Sequence, residues 1–396
     1  MSVGKFDPVQ DKEINKFYVV QDEDIFQEFC ENRGLSEGSI RFYRTALQRY
    51  SDYTKKGLED LIQEAEEEED NKIRMRNRKI RSYLNGFRKH LDDEELSLNY
   101  ISQVVSAVRS FYGDFEIELP KTFRRKSRKD KKQEGFEDIP TMDDVKRSLD
   151  YSSLTYRAIT LLMVSSGMSR SEICSLTFKD FYNAVGLPED FNKSIPELIE
   201  KVNEMDNLIP IWKIRRVKTG KPYFTFNSPE ATDHILDYLE QHYRKYNWEP
   251  KPKDQLFRQY NKPINPNSVT IQYNRINERA GFKKVNGRIY IRPHNLRKLF
   301  ATTLEMNRMP HLMIRFIMGH TIDKTSNAYF KMDPEVVKEE YIEVVDKLAT
   351  SQVEIKIVRT GYDGVQSNIA DIMLKQAFHD RQLKALKEDK ELKSRD

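Results

Sequence analysis

Apolar positions recur at helical spacing along most of this chain. Between residues 21 and 54, Ile25, Phe26 and Phe29 mark one side of a first helix. Gly34 stops it, Ser36 and Ser39 offer caps for a second, and Phe42, Leu47 and Tyr50 continue the spacing. Asn77 to Leu91 predicts a third helix, with Ile80, Tyr83, Leu84, Phe87 and Leu91 inward and Arg and Lys outward. "SLNYISQVVSAVRSFYGDF" predicts a fourth, with Ile101, Val104, Val105, Val108 and Phe111 or Tyr112 inward. The pattern therefore predicts a small all-helical domain over 21–118, preceded by a polar arm at 1–20.

The periodicity lapses over 119–137, which has the composition of a linker. It resumes at "TMDDVKRSLDY", where Thr141 is a good N-cap. "LTYRAITLLMVSSGMSRSEICSLTFKDF" is apolar enough for a central helix, a turn and another helix. After a polar insertion near 183–207, "LIPIWKIRRVKTGKPYFTFN" reads as a hairpin turning at "KTGK", with Gly220 in the turn. Helices are expected again at 232–246, at 267–280 and through "HNLRKLFATTLEMNRMPHLMIRFIMGHTIDKTSNAYF". A second domain over 138–350 follows, mainly α with one small β element. The tail, 351–396, holds the short alternation "VEIKIV" and an amphipathic helix around Ile369, Met373, Ala377 and Phe378.

The length of 396 residues agrees with two or three domains. Net charge is only +4, so its distribution matters more than its sum. An acidic run, "EAEEEED" from Glu64 to Asp70, reads as a solvated loop. "NKIRMRNRKIRSYLNGFRKH" follows with eight Lys or Arg and no acid, and "KTFRRKSRKDKK" has eight bases against one acid. Such blocks are solvated tails or a phosphate-binding stripe. Two cysteines, Cys30 and Cys174, exclude a disulfide scaffold and fit a reducing compartment. No stretch has the apolar length of a membrane span, and the first residues carry no signal-peptide core.

Chemistry concentrates late in the chain. His294 and Arg297 stand three apart behind Pro293, Gly319 and His320 mark a break between helices, and Tyr329 follows nine residues after His320. Each is a weak signal alone; the order and spacing together are specific. That order resembles the tyrosine recombinase (phage-type integrase) family, whose motif is His-x-x-Arg, Gly-His or Gly-Trp, then Tyr. The resemblance implies a helical core-binding domain, a basic linker and an α+β catalytic domain.

It also implies roles. Tyr329 would be the nucleophile, Arg297 and a second arginine would grip the scissile phosphate, and His320 would donate to its developing charge. His294 would act as base or positioner, and Lys218 in the hairpin turn as general acid, with Lys221 a less favoured substitute. The family's first arginine lies in Gly-x-Arg-x-x-Glu, where this chain reads "GMSRSE" from Gly167 to Glu172. An ungapped match puts Ser169 at the arginine position. A turn before a helix can absorb one residue, so Arg170 is the expected arginine; Arg157, Arg215 and Arg216 are the alternatives.

The implied reaction is site-specific DNA recombination through a 3′-phosphotyrosine link, with no metal, cofactor or ATP. Related chemistry in a type IB topoisomerase-like enzyme, or a DNA-binding protein with an impaired site, are the competing readings. Double-stranded DNA is the expected partner, contacted by Arg76, Arg78, Lys79 and Arg81 and by Arg124, Arg125, Lys126 and Arg128 of the linker. A tetramer on two DNA sites, with the C-terminal tail docking on a neighbouring protomer, and a cytoplasmic, DNA-associated location complete the expectation.

Overall fold

A computed structural model describes residues 18–121, 135–187, 194–320 and 333–350. Two compact units divide the chain, residues 1–129 and 130–396. Residues 1–17 of the expected arm, the linker bases Arg124, Arg125, Lys126 and Arg128, the nucleophile candidate Tyr329 and the whole tail fall outside the described residues, whereas Val20, expected in the polar arm, is fully buried in the helical core.

Among the described residues, the first unit holds five α-helices: α1 (Asp24–Asn32), α2 (Glu37–Thr54), α3 (Leu58–Asp70), α4 (Lys79–Asp93) and α5 (Leu98–Asp114). Ser36 caps α2 by accepting from the Ser39 amide, and Ser97 caps α5 by accepting from the Tyr100 amide. The predicted apolar faces close on one core, in which Phe26, Phe29, Tyr50, Phe87, Phe111 and Tyr112 are almost fully buried.

One expectation fails here. The acidic run is not a loop but the second half of α3, with Ala65 and Glu68 buried. Glu68 accepts from the Lys79 amide at the start of α4, and Glu64 takes both Lys56 (2.9 Å) and Lys79 (2.5 Å). Glu69 holds Arg78 at 2.6 Å. The run is helical because the basic segment behind it supplies its counter-charges, so i, i+4 repulsion between glutamates is offset across the helix pair.

The second unit begins with α6 (Met142–Asp150), α7 (Leu154–Ser166), α8 (Arg170–Ser175), α9 (Phe178–Ala184) and α10 (Ile195–Asn203). The insertion read as polar thus carries a helix of its own, α10, whose Ile195, Leu198 and Val202 are buried. A hairpin follows: β1 (Ile211–Arg215) runs antiparallel to β2 (Pro222–Phe226), Ile211 opposite Phe226 and Arg215 opposite Pro222. Trp212 and Ile214 point inward while Lys213 and Arg215 point out, the alternation of a half-buried strand.

Next come α11 (Pro229–Tyr246), a two-residue ladder of β3 (Arg258–Gln259) with β4 (Lys262–Pro263), α12 (Pro266–Arg279), α13 (Pro293–Met306) and α14 (His311–Ile317). The last α-helix among the described residues spans Pro334–Ile342. The architecture is mainly α with small antiparallel strands, as expected.

Helix α7 is the axis of this unit. It is apolar all round, buried from Tyr156 to Ser166 with the exception of Arg157, so other elements must enclose it. Its Ser165 and Ser166 turn their hydroxyls back to Leu161 and Leu162 carbonyls, which satisfies them without solvent. Thr225 of β2 donates to the Ser166 carbonyl (2.7 Å), and Tyr341 donates to the Ser165 carbonyl (2.6 Å). These bonds tie the hairpin and the last helix to the C-terminal end of α7.

His242 on α11 is packed against Tyr246 and Trp248. Burial first, then the charges of Arg258 and Lys245, lower its pKa from 6.5 to about 4. The unfolded chain therefore takes up this proton at higher pH than the fold does. The stabilisation is complete above pH 6.5 and is lost as pH falls toward 4. We expect His242→Phe to reduce the drop in Tm between pH 7 and pH 4.5. Equal drops in both proteins, followed by calorimetry, would count against this assignment.

Candidate active site

The carbonyl ends of α7 and α14 point at one buried guanidinium. Gly167 is the C-cap of α7, and Met318 is the C-cap of α14. Arg297, on α13 and only 9% exposed, donates from one nitrogen to the Gly167 carbonyl and from another to the Met318 carbonyl (2.5 Å). Helix C-termini leave carbonyls unpaired and carry the negative end of the helix dipole, so both suit a cation. Burial and the neighbouring Arg216 pull the Arg297 pKa below its ordinary value, yet arginine stays charged.

Two glycines make this convergence possible. Gly167 has φ +64, and a Cβ there would run into the Phe300 ring. Gly319 has φ +63, and a Cβ would lie 2.9 Å from both Arg216 Cδ and the Tyr223 ring. Gly319 and His320 close α14 by donating to the Phe316 (2.8 Å) and Arg315 (2.9 Å) carbonyls, a left-handed glycine cap. The Gly-His pair is thus a helix stop that delivers His320 beside Arg297.

His294 and Arg297 sit at the start of α13, whose first residue, Pro293, cannot donate and needs no acceptor. His294 is exposed and Arg297 is buried. Both line a cavity of about 610 Å³, together with Arg170, Lys284, Arg288 and Arg292. Among the described residues of its wall there is no carboxylate. The charge of such a wall suits an anion. Sequence reading had not singled out Lys284, Arg288 and Arg292, although the run "KKVNGRIYIRP" before His294 holds them.

His320 does not line that cavity, but its surroundings are cationic. Partial burial, then Arg297, Arg216 and Arg315, lower its pKa from 6.5, so at neutral pH the imidazole is uncharged and can donate one hydrogen bond. Lys218 lies exposed on the hairpin turn, and Lys221 at the end of it. Gly220, φ +66, donates to the Arg216 carbonyl (2.8 Å) to close that turn.

The arginine candidates separate by their partners. Arg170 follows the N-cap Ser169 and turns its guanidinium to the Thr270 hydroxyl. Arg157 donates to the Leu149 carbonyl and ties α7 to α6. Arg215 donates to the Gly220 carbonyl on the outer face of the hairpin. Arg216 reaches inward: its Nη1 lies 3.0 Å from Glu172, a carboxylate only 2% exposed, and 3.4 Å from the Met318 carbonyl. Tyr223 is buried beside this pair, and its phenol is pushed far above its ordinary range by burial and by Glu172, so it remains protonated.

In the helical unit, Arg76 is exposed and Arg81 half-buried. Arg78 is mostly buried between Glu69 and Glu118 and donates to the Ile73 carbonyl. Lys79 is exposed but paired with Glu64.

Comparison with known proteins adds to this geometry. The profile of the Phage integrase family matches residues 197–335. A tyrosine recombinase XerD of Oceanobacillus iheyensis is 25% identical over 328 residues, 81% of this chain and 96% of that protein. A tyrosine recombinase XerC of Pediococcus pentosaceus is 27% identical over 274 residues, 65% of this chain and 79% of that protein. Among solved structures, a Tn1549 transposon integrase in complex with transposon right end DNA is 16% identical, covers 82% of this chain and 98% of its own, and has a TM-score of 0.49.

The convergence at Gly167 gives a stability prediction. Gly167→Ala meets both the left-handed backbone and the Phe300 ring, and should cost about 2–4 kcal/mol in urea unfolding. Gly281→Ala has φ +70 but open space, and should cost only about 1–2 kcal/mol. Equal losses at the two positions would mean that the Phe300 contact does not constrain the fold.

Proposed function

We propose that this chain, which belongs to the phage integrase family of tyrosine recombinases, cuts and rejoins DNA at specific sites through a 3′-phosphotyrosine link. One observation carries the reading. The stretch that matches the family, 197–335, contains the His294, Arg297, His320 and Tyr329 series, and its Arg297 is a buried guanidinium on the wall of a basic cavity with no carboxylate among the described residues.

A phosphodiester resists attack by an anion because its own oxygens are charged. Arg297 and a second guanidinium neutralise those oxygens with planar forks of donors. His320, held neutral, donates a hydrogen bond to the charge that grows on them. The Tyr329 oxygen attacks phosphorus and passes its proton to His294. The bond from phosphorus to the 5′-oxygen breaks, and that oxygen takes a proton from Lys218. A phosphotyrosine on the 3′ end and a free 5′-hydroxyl result. The phosphodiester bond energy is kept in the covalent link, so a second 5′-hydroxyl can reverse the step without ATP.

Lys284, Arg288 and Arg292 give the cavity a basic rim that suits the backbone on either side of the cut. Arg76, Lys79 and Arg81 on the helical unit, and Arg124, Arg125, Lys126 and Arg128 in the linker, supply sequence-independent phosphate contacts. Arg78 is better suited to holding α3 against α4, given its burial between two glutamates. Strand exchange between two sites calls for four protomers, with the C-terminal tail as the coupling segment. Association with DNA sets where the protein acts in the cell.

The test is covalent trapping. Purified protein is mixed with supercoiled plasmid carrying DNA that flanks its own gene, with EDTA present. Wild type should leave SDS-stable protein on DNA 3′ ends, and Tyr329→Phe should leave none. An adduct that survives in Tyr329→Phe would remove Tyr329 as nucleophile. DNA binding with no adduct from wild type would defeat the recombinase reading.

A further inference from the structure

We propose that Arg216 of the hairpin, rather than Arg170, is the second guanidinium that grips the phosphate beside Arg297. The inference rests on the recombinase reading above and names a residue of that same site.

The geometry at Glu172 carries it. Ser169 occupies the position where the family resemblance calls for arginine, and it is committed to capping α8. Its hydroxyl accepts from the Glu172 amide (3.4 Å), and its own amide donates to Glu172 Oε2 (2.7 Å). That exchange leaves Glu172 Oε1 facing the hairpin, where Arg216 Nη1 meets it at 3.0 Å. The carboxylate is buried and the Arg216 side chain is about one-fifth exposed, so Glu172 anchors one end of the fork.

Arg216 and Arg297 also share an acceptor, the Met318 carbonyl, at 3.4 and 2.5 Å. Two cations held this close repel each other until an anion enters between them. The shared carbonyl and Glu172 offset part of that repulsion. Arg216 also adds positive charge at Arg297 and at His320. Arg170 lines the cavity with Arg297 but turns a guanidinium nitrogen to Thr270, with no carboxylate bond fixing its fork in place. Gly319 completes the device, because a side chain there would take the space of the Arg216 stem.

The experiment compares rates of covalent-adduct formation in the plasmid assay, then on a duplex of the mapped cleavage site. Arg216→Ala should slow adduct formation by roughly 100-fold or more, and by at least about tenfold more than Arg170→Ala does. Because Arg216→Ala strands a buried carboxylate, Arg216→Ala/Glu172→Gln is measured beside it, with Tm as the folding control. A duplex with a neutral methylphosphonate at the cut separates contact from scaffolding. If Arg216 neutralises the phosphate, the gap between wild type and the double variant narrows by about tenfold or more. A purely structural role leaves the gap unchanged and overturns the proposal, as does the reverse ranking of Arg170 and Arg216.

Failure of wild type to form any adduct would defeat the recombinase reading instead. Orthovanadate binding by thermal shift then decides the anion site alone. A shift retained in Arg170→Ala but lost in the double variant supports Arg216, and the converse overturns it.

Discussion

The second unit is organised around one requirement: a charged guanidinium must be kept inside the protein. Arg297 is 9% exposed, and a buried ion without partners is prohibitively costly. The solution joins places far apart in sequence, since its two carbonyl acceptors lie 130 and 21 residues away. Both are the last turns of helices, where carbonyls have no partner inside the helix. Arg297 thus completes α7 and α14 at the same time as they hold it. The apolar α7, the left-handed Gly167 and the Schellman-type end at Gly319 all serve that meeting.

A preorganised cation of this kind also explains why the surrounding residues are so uneven in character. The cavity wall carries Arg170, Lys284, Arg288 and Arg292. Glu172 is buried and shared between the α8 cap and Arg216. It lies behind the guanidinium rather than in the cavity.

The helical unit handles charge in the opposite way. Its acidic helix α3 and the basic start of α4 neutralise one another through Glu64, Glu68 and Glu69. Arg78 and Lys79 are consumed wholly or partly by this exchange. A basic run counted along the sequence overstates the charge left for a partner, because neighbours in space have already claimed some of it.

Much of this was open to reading from the chain alone. Helical spacing located α1, α2, α4 and α5, the Thr141 cap marked α6, and β-rich runs around a glycine marked the hairpin. Those signals are local: capping, turn chemistry and amphipathic periodicity act within a few residues. The spacing of His294, Arg297, His320 and Tyr329 was likewise visible, because two of these residues share one helix start and another follows a helix stop. The helical state of the acidic run was not visible, since its counter-charges lie on another helix. Nor was α10, hidden in a stretch read as polar. The partner of Glu172 was beyond the sequence for the same reason: Arg216 lies 44 residues away and reaches it only when the hairpin folds over the end of α7. Residue types and local spacing determined which chemistry the chain carries. Tertiary packing alone decided which arginine meets which carboxylate, because electrostatic partners are chosen by distance in space.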